Sequence, residues 1–208
     1  MAAGEDAVSD FSATPDSQRV KRYYMACLDL EGRDVLVVGA GSVALEKVHG
    51  LLDVGARVAV VAPDVSPPIE ALGRDGHVEV VHRGYRTSDL DGRFLVVAAT
   101  SITPLNEQVF EDADARGMLC NVVDVPDLCS FILPAVHRDD PIAVAISTGG
   151  ASPALAQRLR DDIAGVVRPE HATLARRLRD LRPWAKETFA TYEERRDYFQ
   201  QLVEAELR

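Results

Sequence analysis

An apolar segment that leads directly into a glycine turn and a helix constrains the fold of this chain more than any other feature. Asp34–Val38 (DVLVV) is apolar from its second residue onward, which is typical of a strand buried on both faces. Gly39 and Gly41 follow it, and from Ser42 the apolar residues recur at helical spacing as far as Gly55. The sequence therefore predicts a strand, a tight turn and a helix in direct succession.

The alternation of strand and helix patterns continues beyond this unit. A helix pattern with Thr103 as N-cap and Pro104 at its first position runs to about Arg116, and Gly117 closes it. Strand, helix and strand in alternation imply right-handed crossovers and a parallel sheet. The expected fold class is α/β, with a Rossmann-like parallel sheet. Four further strands are predicted at Arg57–Val61, His77–His82, Phe94–Ala99 and Met118–Val123.

After the fifth strand the alternation stops. Two apolar segments, Ser130–Val136 and Ile142–Ile146, are separated only by His137–Pro141, which suits an antiparallel hairpin better than a crossover helix. The region is apolar at nearly every position, more than one small sheet face can cover, so we expect a second copy to cover it in a homodimer. From Ser152-Pro153 the sequence predicts a helical C-terminal part. Its three helices are expected to break near Arg168-Pro169 and Arg182-Pro183.

The charge of the chain limits its partners. The 208 residues carry 23 Lys and Arg against 33 Asp and Glu, a net charge of −10, so we expect neither nucleic acid nor an anionic membrane as a partner. No apolar run approaches the ~20 residues that cross a bilayer, and the N-terminal region has no signal-peptide pattern. The three cysteines lack CxxC spacing, which indicates a reducing compartment and no structural zinc. We expect a cytoplasmic protein.

The glycine turn has the spacing of a dinucleotide-binding loop. Residues 39–44 read GxGxxA: the first glycine permits the turn, the second lets the backbone approach a pyrophosphate, and Ala44 keeps the helix close to the sheet. Asp64 follows the second strand, 23 residues after Gly41 and near the usual offset of about 20 for a ribose-binding carboxylate. No arginine follows Asp64 closely, since the next one is Arg74, and the absence of a nearby partner for a 2′-phosphate favours NAD over NADP. The alternative is that Asp64 only caps the turn before Ser66.

Two further segments carry polar residues where a ligand is expected. Asn121–Asp124 ends the fifth strand at the carboxyl edge of the sheet, where open α/β sheets bind their ligands. Asp124 there either faces the nicotinamide or only forms the turn before Pro126. Residues 147–152 are a small-residue loop before a helix N-terminus, either a flexible connection or a binding site for carboxylates.

Five segments together closely resemble the precorrin-2 dehydrogenase family, that is, the N-terminal module of siroheme synthases and its stand-alone relatives. They are LDLEGR (28–33), GAGSVALEK (39–47), AAT (98–100), NVVDVPDLCSFILPA (121–135) and STGGASPALAQRLR (147–160), and the resemblance covers roughly residues 24–170. It implies an NAD-dependent oxidation of precorrin-2 to sirohydrochlorin on a homodimer. Some members of the family also insert iron into sirohydrochlorin.

The resemblance also implies roles for single residues. The aspartate of the family's NVVD motif, which serves catalysis, is Asp124, here expected to act as general base. The substrate contacts implied are Asn121, Ser147, Thr148, Gly149 and Gly150; the cofactor contacts implied are Gly39, Gly41, Ser42, Val43, Pro63, Asp64 and Thr100.

The chain departs from the family pattern at two positions. Ala40 stands where the family usually has the middle glycine of GGG, which is tolerated if its φ is negative. Glu46 precedes Lys47 where the family usually has Arg-Lys, and this negative charge is expected to weaken a contact at the cofactor end.

These observations predict four regions and leave two other functions open. The regions are a disordered leader (1–20), an NAD-binding Rossmann domain (21–120), a β region for dimerisation and the active site (121–150) and a helical C-terminal domain (151–208). One alternative is a bifunctional enzyme that also inserts Fe²⁺; the five histidines show no ligand spacing, so no resident metal is expected. The other is a non-catalytic NAD-sensing module.

Overall fold

A computed structural model describes residues 23–207 of the chain, and the predicted leader (1–20) lies outside the described residues. The described chain forms two compact units, 23–133 and 134–207.

The first unit is a five-stranded parallel sheet with helices on both faces, which confirms the predicted α/β class. The strand order is β3-β2-β1-β4-β5, and every neighbouring pair is parallel. The strands are β1 (Asp34–Val38), β2 (Arg57–Ala62), β3 (Val78–His82), β4 (Leu95–Ala98) and β5 (Leu119–Val122), and the helices are α1 (Ser42–Leu52), α2 (Pro67–Arg74) and α3 (Thr103–Asp114).

The central strand explains why the sequence is so apolar at residues 35–38. Alternate side chains of β1 enter two separate cores, one on each face of the sheet. On one face, Val37 packs in a cluster with Ala44 and Val48 of α1; on the other, Leu36 packs in a cluster with Val109 of α3. Each of these side chains is fully buried, so the sheet holds its C-terminal edge in a fixed position.

One prediction for the helices of this unit was wrong. Thr103 is the first helical residue and not the N-cap; the N-cap is Ile102, whose backbone N–H is bound by the Thr100 hydroxyl (3.1 Å). Pro67 and Pro68 open α2, because proline at the first helical positions removes only N–H groups that lack an intrahelical partner.

The second unit is an antiparallel hairpin followed by three helices. The hairpin pairs β6 (Ala135–Asp139) with β7 (Ile142–Ile146), and the helices are α4 (Pro153–Ala164), α5 (Pro169–Thr188) and α6 (Tyr192–Glu206). The predicted antiparallel hairpin is confirmed. No helix of the described residues is long and apolar enough to span a bilayer.

Two boundaries near this unit differ from the prediction. The strand expected from Ser130 begins at Ala135, because Ser130 is bonded to β5 through its N–H and the Cys120 carbonyl (2.9 Å). The helix break expected at Arg182-Pro183 is wrong, since Pro183 lies inside α5. The helix ends at Thr188 instead, and the Thr191 hydroxyl and the Glu194 carboxylate form a capping box that starts α6.

Candidate active site

The glycine turn after β1 has a backbone that only glycine can adopt. Gly39 has φ +107°, and a Cβ built on it would lie 2.4 Å from the Ala99 carbonyl oxygen. Its N–H donates to the Val61 carbonyl of the neighbouring strand (3.0 Å). The turn is therefore held between the ends of β2 and β4, and the start of α1 is fixed with it.

The start of α1 leaves room for an anion. Gly41 is exposed, and a Cβ on it would meet no atom within 4 Å. The first turn of α1 contains no acidic residue, so its unbonded N–H groups and the helix dipole present a partial positive charge. Ala40 meets the condition set by the sequence, because among the described non-glycine residues only Asp124 has a positive φ. The residues present fit the pyrophosphate of a dinucleotide.

Two predicted cofactor residues follow the next strands along this edge. Asp64, after β2, is exposed, and within residues 23–207 its carboxylate has no hydrogen-bond partner. It does not cap α2, whose N-cap is Ser66. Thr100, after β4, is engaged in its loop: its hydroxyl donates to Asn106 Oδ1 (2.7 Å), and Asn106 Nδ2 donates to the Thr100 carbonyl (3.0 Å).

Asp124 lies on a turn that directly follows β5. The Val125 N–H donates to the Val122 carbonyl (3.2 Å), and Asp124 has a left-handed backbone with φ +63°. Left-handed aspartate costs about 1–2 kcal/mol relative to ordinary backbone and is concentrated at functional positions. Its side chain is exposed and, in the described part of the chain, makes no hydrogen bond or ion pair. An Asx turn would need such a bond, so the carboxylate itself does not hold the turn.

The turn is held from beneath by buried neighbours. Asn121 is buried, and its Nδ2 donates to the Phe131 carbonyl (3.0 Å) and to Cys129 Sγ (3.5 Å). The Cys129 thiol donates to the carbonyls of Val122 and Val125, each at 3.2 Å. The Asn121 amide is thus bonded to the segment that follows the turn, at Cys129 and Phe131, and these bonds help to fix the turn that carries Asp124. Burial raises the pKa of the nearby Cys120 thiol to about 12, so that thiol stays neutral.

A small concavity of about 180 Å³ lies beside this turn. Lys47 of α1 lines it together with Asp124, and the sequence analysis did not single out Lys47 for any role. The available signal was its position three residues after Ala44, on the helix face turned toward the sheet. The other lining residues are Asn121, Val122, Val123, Val125, Pro126, Cys129, Ile132 and Leu133.

The structure gathers most of the predicted site at one edge. In the first unit, the residues that follow β1, β2, β4 and β5 all lie at the carboxyl ends of parallel strands. These are Gly39, Gly41, Ser42, Val43, Pro63, Asp64, Thr100 and Asp124, while Asn121 lies within β5, one residue before its end.

The predicted loop at 147–150 follows β7 in the second unit. The Ser147 hydroxyl accepts from the Gly149 N–H (3.1 Å), and the Thr148 hydroxyl accepts from the Ser152 N–H (3.0 Å). Ser152 caps α4 by accepting from the Leu155 N–H (3.2 Å). Within residues 23–207 no group of three His, Cys, Asp or Glu side chains could hold a metal ion.

The parallel sheet, the glycine turn and the open helix N-terminus define a dinucleotide-binding protein. A family model described as "Putative NAD(P)-binding" matches residues 26–135, more than half of the chain. The chain belongs to this NAD(P)-binding family. A second model, "Sirohaem biosynthesis protein central", matches residues 139–165.

Curated relatives and a solved structure are similar over most of the chain. The siroheme synthase of Ectopseudomonas mendocina (strain ymp) is 40% identical over 179 residues, and that of Pseudomonas entomophila (strain L48) is 41% identical over 175 residues. These matches cover 86% and 84% of the chain but 38% of each relative, so the chain spans well under half the length of these proteins. The structure of SirC, a precorrin-2 dehydrogenase, is 29% identical with a TM-score of 0.74, covering 87% of this chain and 89% of SirC.

Proposed function

We propose that this chain oxidises precorrin-2 to sirohydrochlorin, with NAD as the hydride acceptor and Asp124 as the general base. The observation that carries the proposal is the unpaired Asp124 carboxylate, on a left-handed turn at the sheet edge that also holds the glycine turn. The likeness to SirC, which extends over most of both chains, supports the choice of substrate. The matched siroheme-synthesis model and the siroheme synthase relatives support the same pathway.

The cofactor half of the reaction depends on the backbone at α1. Gly41 and the first N–H groups of α1 bind the pyrophosphate, and the Asp64 carboxylate accepts hydrogen bonds from the ribose hydroxyls. Asp64 also repels a 2′-phosphate, so NAD is preferred over NADP. NAD, when bound, supplies the hydride acceptor.

The substrate half depends on Asp124. Oxidation of the macrocycle removes two electrons and two protons: one hydride leaves to the cofactor, and one proton leaves to a base. Asp124 takes that proton, because its carboxylate is exposed in the concavity and no described residue occupies its lone pairs. A base in this position accepts the proton directly at about 3 Å or through one water.

The proposal extends to the loop at 147–150 as a substrate-binding element. Gly149 and Gly150 have positive φ values of 62° and 87°, which turn the loop into the N-terminus of α4. N–H groups and hydroxyls at such a place suit the carboxylates of the macrocycle.

The proposed enzyme is a homodimer in the cytoplasm. In the second unit, apolar side chains remain exposed on α4 and after it, including Leu155 (51%) and Val166 (64%). A two-fold contact with a second copy covers such surface, and light scattering that finds a monomer at micromolar concentration would contradict it. Thiols rather than disulfides at Cys27, Cys120 and Cys129 suit a reducing compartment.

The deciding experiment is an anaerobic assay of the purified chain with precorrin-2 and NAD. NADH and sirohydrochlorin are followed by their absorbance, and one NADH is expected for each sirohydrochlorin. NAD binding without turnover would support the NAD-sensing module instead.

Iron insertion is the second candidate activity, because an unpaired carboxylate such as Asp124 can also remove pyrrole protons. It is tested in the same preparation with sirohydrochlorin and Fe²⁺, or Co²⁺ in its place. Iron insertion would be established if the sirohydrochlorin absorbance falls faster with the protein than without it.

A further inference from the structure

Lys47 is the cation of the Asp124 concavity. Among the residues that line this space, Lys47 and Asp124 are the two charged ones, and the rest are apolar or neutral. The Lys47 side chain lines this space and is only 19% exposed, so its stem is packed against the protein. Such packing holds the charge in place.

The observed ion pair of Lys47 contributes little to the stability of the fold. Within residues 23–207 its ion-pair partner is Glu46, its neighbour in α1, with 2.8 Å between Lys47 Nζ and Glu46 Oε1. Glu46 is 74% exposed, and ion pairs with exposed partners contribute little to stability. The ammonium therefore remains available to an anionic ligand that displaces Glu46.

The chemistry of the substrate creates a need for this cation. Under the proposed function, a macrocycle with eight carboxylates must approach the Asp124 carboxylate on a chain whose net charge is −10. Like charges at close range in a partly dehydrated space repel each other, and a cation held between them offsets that repulsion.

We propose that Lys47 binds one carboxylate of the substrate and so positions the macrocycle ring against Asp124. This inference rests on the proposed function and deepens it, because it assigns a substrate-binding residue on α1. Glu46 competes with the substrate for Lys47, which makes Glu46 a modest brake on substrate affinity.

The test compares three variants of the full chain. Lys47→Met keeps roughly the length of the stem and removes the charge, Lys47→Arg keeps the positive charge, and Glu46→Gln removes the competing carboxylate. Lys186→Met is the matched control, since it removes an exposed lysine from α5. For each variant we would measure KM and kcat for precorrin-2 at saturating NAD, Kd for NAD, Kd for sirohydrochlorin by fluorescence titration, and the melting temperature.

Lys47→Met is expected to raise KM for precorrin-2 and Kd for sirohydrochlorin by about 10- to 100-fold, the usual effect of losing a charge-assisted hydrogen bond. Kd for NAD and the melting temperature should stay unchanged, as should every constant of Lys186→Met. Lys47→Arg should recover most of the affinity, and Glu46→Gln should lower KM by about twofold.

Three results would overturn the inference, and they are distinguishable. If the parent chain turns over but Lys47→Met keeps its KM and its Kd for sirohydrochlorin, Lys47 does not bind substrate and the proposed function stands. A fall in melting temperature with equal losses for NAD and sirohydrochlorin would make Lys47 a structural residue. If the parent chain neither turns over precorrin-2 nor binds sirohydrochlorin, the proposed function and this inference fail together.

Discussion

Two turns at the same edge of one sheet differ in what determines their conformation. At the glycine turn, the neighbouring strand ends leave no space for a side chain: a Cβ on Gly39 would lie 2.4 Å from the Ala99 carbonyl oxygen. At the second turn, Asp124 adopts a left-handed backbone although its side chain touches no hydrogen-bond partner in the described part of the chain. A glycine or an asparagine would satisfy that backbone as well.

Under the proposed function, the two turns separate cofactor binding from chemistry. The glycine turn would bind the cofactor through backbone N–H groups and open space, which a helix N-terminus supplies whatever its side chains. The second turn would act through one carboxylate whose presence the fold does not require. Changes at the first turn should therefore affect folding and cofactor affinity, and changes at the second should affect turnover.

The largest expected effect comes from Asp124→Asn. Asparagine adopts a left-handed backbone at least as readily and keeps the shape, but it lacks the basic oxygen. Turnover at saturating NAD should fall by about 10²- to 10⁴-fold, the usual contribution of a positioned acid or base. Stopped-flow measurement of NADH formation gives this rate directly. Near-parental turnover would mean that the Asp124 carboxylate is not the general base.

The next largest effect is expected from Gly39→Ala. A side chain at φ +107° is strained and also meets the Ala99 carbonyl, so the free energy of unfolding should fall by about 2–5 kcal/mol. Chemical denaturation followed by circular dichroism measures the loss. Parental stability in this variant would contradict the account of the turn.

A smaller effect is expected at the ribose end of the cofactor site, from Asp64→Ala. Loss of hydrogen bonds to the ribose hydroxyls should weaken NAD about tenfold, and NADP, which the carboxylate repels, should lose much less. Stability should not change, because Asp64 is exposed and caps no helix. Calorimetric titration of both dinucleotides tests this, and an unchanged ratio of the two affinities would assign Asp64 no role in cofactor choice.

The smallest functional effect is expected from Asp89, whose carboxylate contributes to neither turn. Arg83 donates two hydrogen bonds to it, at 2.8 and 2.6 Å, and holds the pKa of Asp89 below its usual 3.8. Because the folded-state pKa is lowered, this stabilisation is complete above about pH 4 and is lost as the pH falls through the folded-state pKa. Asp89→Asn should reduce stability at pH 7 by about 1–2 kcal/mol without altering NAD affinity.

The pH dependence provides the control for that prediction. The difference in unfolding free energy between the parent and Asp89→Asn should narrow as the pH is lowered below 4, because the parent then loses the ionised carboxylate as well. A difference that stays constant down to pH 2.5 would show that the ion pair is not the cause.

The glycine turn could be predicted from the sequence because a backbone with positive φ and no space for a side chain requires glycine, and glycine is visible in the sequence. Gly39 and Gly41 are visible as glycines, and the buried strand before them is visible as an apolar run. The role of Asp124 stayed open from spacing alone, since an unpartnered carboxylate and a turn-forming one look the same in sequence. In the structure its carboxylate makes no hydrogen bond or ion pair within the described residues, and this observation supports the proposal that it acts as a base.

Other features depended on contacts that no local pattern contains. Lys47 and the Asp124 turn are far apart in the sequence, and only the packing of α1 against the sheet brings them to one concavity. The start of β6 was predicted five residues early, because the bonds from Ser130 to Cys120 are long-range. A helix break was predicted at Pro183, but the break occurs between α5 and α6. Thr191 caps the start of α6 there, and the Trp184 ring contacts the rings of Phe189 and Tyr198.

The separation of binding from chemistry is tested most directly by titrating NAD into Asp124→Asn and Gly41→Ala side by side. A Cβ at Gly41 meets no protein atom, so that variant should keep the parental stability and yet bind NAD at least about tenfold more weakly, because the methyl group occupies space that the pyrophosphate needs. Asp124→Asn should bind NAD within about twofold of the parent chain. Equal weakening in both variants, or parental affinity in Gly41→Ala, would contradict the account.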